Sequence, residues 1–298
     1  MATIYTQQSN NVFKTFVLMG VFLVMVIAIC FAVSAYFGNP IILYIGAAFA
    51  VFTSIGSYWF SDKVVLKMTS AKQVAKEDAP ELYNIVENLS ITAGLPMPRV
   101  FIVNDPAPNA FATGRDPEHA VVAVTSGLLQ ILDRTELEGV IAHELAHVGN
   151  RDMLVMTVAV VLAGFVAIVA DILSRSMIYG GGNDRNRHPA FLILGIVGII
   201  LAPFAAKLIQ LAISRKREYL ADATGALLTR YPEGLASALE KISQYAQPMR
   251  KASHATAHLF ISDPFQDKKL GIKQKISGLF QTHPSAEDRI AKLRSMGE

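Results

Sequence analysis

Thr135-Glu-Leu-Glu-Gly-Val-Ile-Ala-His143-Glu144-Leu-Ala-His147-Val-Gly149, followed closely by the apolar run from Leu154 to about Leu173, decides the reading of this chain. Thr135 and Glu138 have the spacing of a capping box and Gly149 is a stop signal, so the first stretch is predicted to be a helix of about four turns. On that helix His143 and His147 are four apart and share a face, where two imidazoles can reach one metal ion. Glu144, beside the first imidazole, is placed to act as a general base toward the attacking water. With 7 His and 12 Glu in 298 residues, chance would supply about 0.007 such patterns, so the spacing points to metal-assisted hydrolysis rather than to two stray surface histidines.

A catalytic zinc usually takes three protein ligands and keeps one position open. No third His follows at short range, because the chain enters the apolar run. The next polar stretch opens with Arg215-Lys-Arg-Glu218-Tyr-Leu-Ala-Asp222. Glu218 and Asp222 also share a helical face, so one carboxylate can bind the metal while the other accepts a hydrogen bond from a ligating imidazole. From the residues alone, an ordinary amphipathic helix with Glu–Lys or Glu–Arg pairs is an equal reading.

The composition says where such a site would sit. Charged residues are 17% of the chain, against roughly 25% in soluble proteins, while apolar residues are 52% and mean hydropathy is +0.38. A wholly soluble globule, a disordered chain and a disulfide scaffold are disfavoured together. Four runs have membrane length: 15–37, 40–60 with the Gly38-Asn39 turn between, 154–173 and 191–213. The first is too long and too poorly flanked for a cleaved signal and reads as a retained anchor. Asp171 and Lys207 lie near span ends, at headgroup level. Cys30, the only cysteine, is a buried inert thiol. The net charge of +3, with no basic stripe interleaved with aromatics, gives no nucleic-acid footprint.

Lys and Arg near the span ends number eleven on the side carrying both polar stretches and three on the other. The positive-inside rule therefore places both stretches and both termini in the cytoplasm and the Gly180–Asn183 loop outside. The predicted organisation is a membrane hairpin over 1–62, a first catalytic half over 63–153, a second hairpin over 154–213 and a second catalytic half over 214–298. Two crossings separate His147 from Glu218, so the halves return to one side and can build a single site just above the bilayer. Val100–Val103 and Ala120–Thr125 read as short strands, and Met249–Lys275, irregular and Lys-rich, reads as a mobile loop. The fold class is a mainly α integral membrane protein with four transmembrane helices and a cytoplasmic α+β zincin-like domain made from two polar segments.

Four segments carry a family resemblance over essentially the whole chain: His143–His147 with the following Asn150-Arg-Asp-Met; Arg217-Glu-Tyr-Leu-Ala-Asp222; Asn109-Ala-Phe-Ala-Thr-Gly114; and Thr282-His-Pro-Ser-Ala-Glu-Asp-Arg-Ile290. In this order, with four spans, they resemble the HtpX-type membrane zinc metalloproteases, which are similar to the membrane CAAX prenyl proteases. The resemblance implies one Zn2+ per chain on His143, His147 and Glu218, Glu144 as general base, and Asp222 supporting a ligand. It implies that Asn109, Ala110 and Phe111 form an edge that pairs with extended substrate, and it brings His283 and Arg289 near the site as transition-state or supporting groups. It also implies membrane or misfolded proteins as substrates, the lipid bilayer of a bacterial plasma membrane as surroundings, quality control and stress response as the role, and functional overlap with other membrane quality-control proteases. His254 and His258 lack a flanking acid and are set aside. An intramembrane-cleaving protease fits poorly with the charges around the helix, and a scaffold with structural zinc leaves Glu144 without a purpose.

Overall fold

The computed structural model describes residues 4–179, 214–245, 247–250, 252, 256–265 and 284–297. Two helices begin the chain, α1 (Ile4–Phe37) and α2 (Ile41–Thr69), reversed at Gly38 in the left-handed region (φ 62°) and the Asn39 turn. Gly is the residue that takes this conformation without cost. Among the described residues, Gln8–Phe37 and Ile41–Thr69 are the two helices long and apolar enough to cross a membrane. Their outer faces keep Phe31 62% and Phe52 75% exposed, a surface suited to lipid rather than to water. α2 continues unbroken past the end of the apolar run near residue 60 to Thr69, so one helix leads from the hairpin into the polar domain.

The polar domain is built on a four-stranded sheet of order β1-β2-β4-β3, from β1 (Lys72–Gln73), β2 (Arg99–Val103), β3 (Ala110–Thr113) and β4 (Val121–Thr125). The two predicted strands are β2 and β4, which pair in parallel with Arg99 opposite Val121 and Val103 opposite Thr125. β3 runs antiparallel to β4, Ala110 opposite Val124 and Thr113 opposite Val121, and forms one edge of the sheet. Against one face lie α3 (Pro80–Ala93), α5 (Arg134–Gly149) and α8 (Pro232–Gln244), with Ile85, Val122, Ile141 and Leu235 in their shared core. Each such side chain contributes about 1.5–3 kcal/mol through burial. The short α4 (Ser126–Ile131) follows β4. α7 (Arg215–Thr229) and α9 (Ala286–Arg294) complete the domain.

Close helix approach requires small residues at two points. A Cβ on Gly139 would lie 2.6 Å from the Leu235 nitrogen of α8, and one on Gly225 of α7 would lie 3.0 Å from the His143 nitrogen. α5 therefore sits directly against α7, and its face from Leu137 to Val148 is buried.

Two expectations are corrected, the start of α5 and the looseness of Met249–Lys275, while the stop at Gly149 holds. α5 begins one turn-fraction earlier: its capping box is Asp133 with Glu136, while Thr135 spends its hydroxyl on Asp133 and Glu138 pairs with Arg134. Gly149 is the last helical residue and Asn150 the cap. In Met249–Lys275 the described part is not loose: Phe260 is fully buried, Met249 N–H donates to Pro264 at 2.9 Å, and Ile261 N–H donates to the Ala110 carbonyl at 3.0 Å. The apolar run Leu259-Phe260-Ile261 anchors it.

α6 (Asp152–Tyr179) leaves α5 at an angle of 82°, through Arg151 in the left-handed region. Its Val155, Val158 and Leu162 pack on Leu18 and Phe22 of α1. Among the described residues, a third span arises by length and composition only when α5 and α6 are taken as one bent pair. The run 191–213, Lys207 and the Gly180–Asn183 loop lie outside the described residues.

Candidate metal centre

His143 and His147 project from one face of α5 into the angle between α5 and α7, where Glu218 comes from the first turn of α7. The His143 Nε2 and His147 Nε2 atoms are 3.2 Å apart. The Glu218 carboxylate oxygens stand 3.5 Å from His147 Nε2 and 4.0 Å from His143 Nε2. With metal–ligand bonds of about 2.0–2.1 Å, the edge of a zinc tetrahedron is about 3.3 Å. Three lone-pair donors thus converge at close to the spacing one small ion requires, and this is the one group among the described residues with that geometry. All three side chains are buried. Two imidazole nitrogens facing each other also need a proton or a cation between them, which the donor set itself asks for.

Each imidazole is held from behind. His143 Nδ1 contacts Asp222 at 3.0 Å, and His147 Nδ1 contacts Asp152 at 3.1 Å. Asp222 is gripped in turn by Arg289, through Nε at 2.9 Å and Nη2 at 2.7 Å. Arg289 is 1% exposed and also donates to the Ile261 carbonyl at 3.0 Å. Burial would raise Asp222, but the Arg289 charge and the bond from His143 hold it at about 2. Burial drives His143 down to about 4, with Asp222 opposing and Arg289 assisting. For His147 burial acts downward, but the Asp152 bond and the Glu218 charge outweigh it and carry the ring up to about 9.

Glu144 stands beside this cluster, 2% exposed, close to the Ala112 backbone of β3. Burial raises it to about 7, against the charge of His147 and with that of Glu218. A carboxyl poised near neutrality next to a three-donor metal geometry is what a hydrolytic general base needs.

A model of peptidase family M48 matches residues 76–297. The chain belongs to peptidase family M48. Over nearly its full length this M48 chain is similar to curated proteases: 47% identical to a protease HtpX homolog of Dictyoglomus thermophilum, covering 99% of this chain and 96% of that one. A protease HtpX homolog of Syntrophobacter fumaroxidans is 49% identical over 95% and 99% of the two chains, and one of Pyrococcus furiosus is 52% identical over 83% and 84%. In fold it is similar to the crystal structure of S. mikatae Ste24p, with TM-score 0.51 and 17% identity over 97% of this chain and 67% of that one. The M48 chain is a metalloprotease of HtpX type with membrane helices.

Of the residues singled out from the sequence, His143, Glu144, His147, Glu218, Asp222 and Arg289 stand together. His283 lies outside the described residues. Asn109, Ala110 and Phe111 lie at the β3 edge but are engaged internally: the Asn109 amide donates to the Ser262 carbonyl at 3.0 Å, the Ala110 carbonyl accepts from Ile261, and the Phe111 ring meets Phe260 edge-on at 5.3 Å. Sequence reasoning assigned Asp152 no role of its own: it appeared only among the charges that flank the helix and in the segment that follows His147. Its position five residues after His147, at the first turn of the next helix, was the available signal. Arg217, 3.3 Å from Asp152, and Asn11, from the far end of the chain, carried none.

Proposed function

We propose that one zinc ion is held by His143, His147 and Glu218 and that the protein is an endopeptidase cleaving membrane or misfolded proteins at the cytoplasmic face of a bacterial plasma membrane. The observation that carries this reading is the three-donor cluster with Glu144 alongside, its carboxyl raised to about 7. When bound, zinc supplies Lewis acidity at the scissile carbonyl and toward water. Glu144 takes the proton of the attacking water and returns it to the leaving nitrogen. Asp222 fixes the His143 tautomer so that Nε2 keeps its lone pair for the metal, and Arg289 keeps Asp222 ionised and aimed.

Extended substrate adds to the edge of β3 near Ala112, and any longer pairing requires Ile261 to leave the Ala110 carbonyl. A role in membrane-protein quality control and stress response, overlapping other membrane proteases, accords with the HtpX-type relatives. The charge bias supports four spans with both termini in the cytoplasm, in keeping with the even number of crossings that a site shared by His147 and Glu218 requires.

Detergent-purified protein supplied with zinc should degrade an unstructured protein such as casein. Glu144→Gln should retain zinc and lose at least about 10³-fold in rate, while Glu218→Gln loses zinc. Full activity in Glu144→Gln would overturn the assignment.

A further inference from the structure

Both histidines of the metal cluster have a carboxylate behind them, but the two carboxylates come from different parts of the molecule. Asp222 belongs to the second polar stretch and is braced by Arg289. Asp152 is fully buried at the start of α6. One of its oxygens meets His147 Nδ1, and the other accepts from the Asn11 amide of α1 at 2.7 Å, shorter than its 3.3 Å contact with Arg217.

Asn11 is 3% exposed and its amide nitrogen also reaches the Asn150 carbonyl at 3.0 Å. One turn earlier, Gln8 Nε2 donates to the Gly149 carbonyl at 2.6 Å. The first turns of a membrane helix thus close over the corner where α5 ends and α6 begins, five residues or fewer from His147. A buried amide inside a helix is disfavoured unless its hydrogen bonds are made. A leucine there would simply extend the apolar contact that Leu18 and Phe22 make with α6.

We propose that Asp152 is a positioning residue for His147 and that Asn11, on the first membrane helix, is the residue that holds Asp152 in place. A carboxylate on Nδ1 keeps the proton there and turns Nε2 toward Glu218 and His143; the Asn11 bond fixes which way that carboxylate faces. The membrane hairpin is then a component of the metal centre, and not only its anchor. This rests on the metal reading above, and the experiment separates the two.

Zinc affinity of the full-length protein in detergent is measured by competition with a chromophoric chelator, and the visible absorption of the cobalt(II) form reports ligand geometry. Asp152→Asn should weaken zinc roughly 10–100-fold and Asn11→Leu about 3–10-fold, both altering the cobalt bands. The double variant should bind no more weakly than Asp152→Asn alone, because Asn11 acts through Asp152. Gln8→Leu, which removes only the Gly149 contact, should lower thermal stability and leave affinity and cobalt spectrum as in the parent protein. Parent-like zinc binding and cobalt bands in Asn11→Leu, or an additive double variant, overturn the proposal. If Asp152→Asn does not fold, Asn11→Leu against Gln8→Leu decides alone. A parent protein that binds neither ion would instead overturn the metal reading.

Discussion

Asp222 and Arg289 form a doubly bonded ion pair from which water is excluded, both side chains at most 3% exposed. Removing such charges from water costs several kcal/mol each, so the pair is worth little compared with an apolar replacement but a great deal compared with half of itself. Arg289→Met should therefore destabilise the protein by about 3–5 kcal/mol, a fall of roughly 10 °C in thermal midpoint in detergent, and weaken zinc because Asp222 loses its aim. Arg289→Lys, which restores charge without the planar fork, should fall between the two. A melting temperature unchanged in Arg289→Met would show that Asp222 finds another cation. At this scale local spacing pointed to His143, Glu144 and His147 by their places on one helix, while Glu218 and Asp222, which share a face of another, read equally well as an ordinary amphipathic helix until topology and the family resemblance were added. Arg289 was reachable only through the family resemblance. Asp152 was hidden because its importance comes from an 82° turn that swings it back behind His147, and no periodicity reports a turn of that kind.

Among the elements, the α5–α7 contact decides whether Glu218 meets the histidines at all. Gly225 allows it: a methyl group there would press on the His143 backbone nitrogen at 3.0 Å, and backbone does not swing aside as a side chain does. Gly225→Ala is expected to cost about 1–3 kcal/mol and to push α7 outward, lowering zinc affinity by moving Glu218 and Asp222 together. Gly56→Ala in α2, where nothing lies within 4 Å of the new methyl, should be neutral or stabilising by up to about 1 kcal/mol. Equal zinc affinity and melting temperature in the two variants would mean that α7 is not seated as tightly as the distances require. The sequence showed both helices and both strands but not this contact, since a glycine in a helix looks the same whether it faces solvent or a neighbour. The start of α5 was misplaced for a related reason. Asp133–Glu136 and Thr135–Glu138 both have capping-box spacing, and only the fold shows which carboxylate finds the free N–H groups. The described part of Met249–Lys275 reads as mobile from sequence because its anchoring run of three apolar residues is too short to register beside the lysines of the stretch.

For the molecule as a whole, the outstanding quantity is the number of membrane crossings between His147 and Glu218. α6 packs along α1 through Val155, Val158 and Leu162, so the third apolar run shares the environment of the first. α7 and α8 pack on α5 and Arg289 of α9 bonds Asp222 of α7, so the two polar stretches come together and must lie on one side. An even number of crossings follows, either two or none. The charge bias favours two, with the Gly180–Asn183 loop outside. In a Cys30→Ala background, Asn84→Cys and Glu287→Cys, both at exposed positions of the domain, should resist a membrane-impermeant thiol reagent in intact cells and react once the cells are opened. Asn183→Cys should react in intact cells. Protection of all three would mean that the second hairpin dips into the bilayer and returns, leaving two spans. Reaction of Asn84→Cys and Glu287→Cys in intact cells would place the protease domain outside, against eleven positive charges, and with it the substrates proposed here.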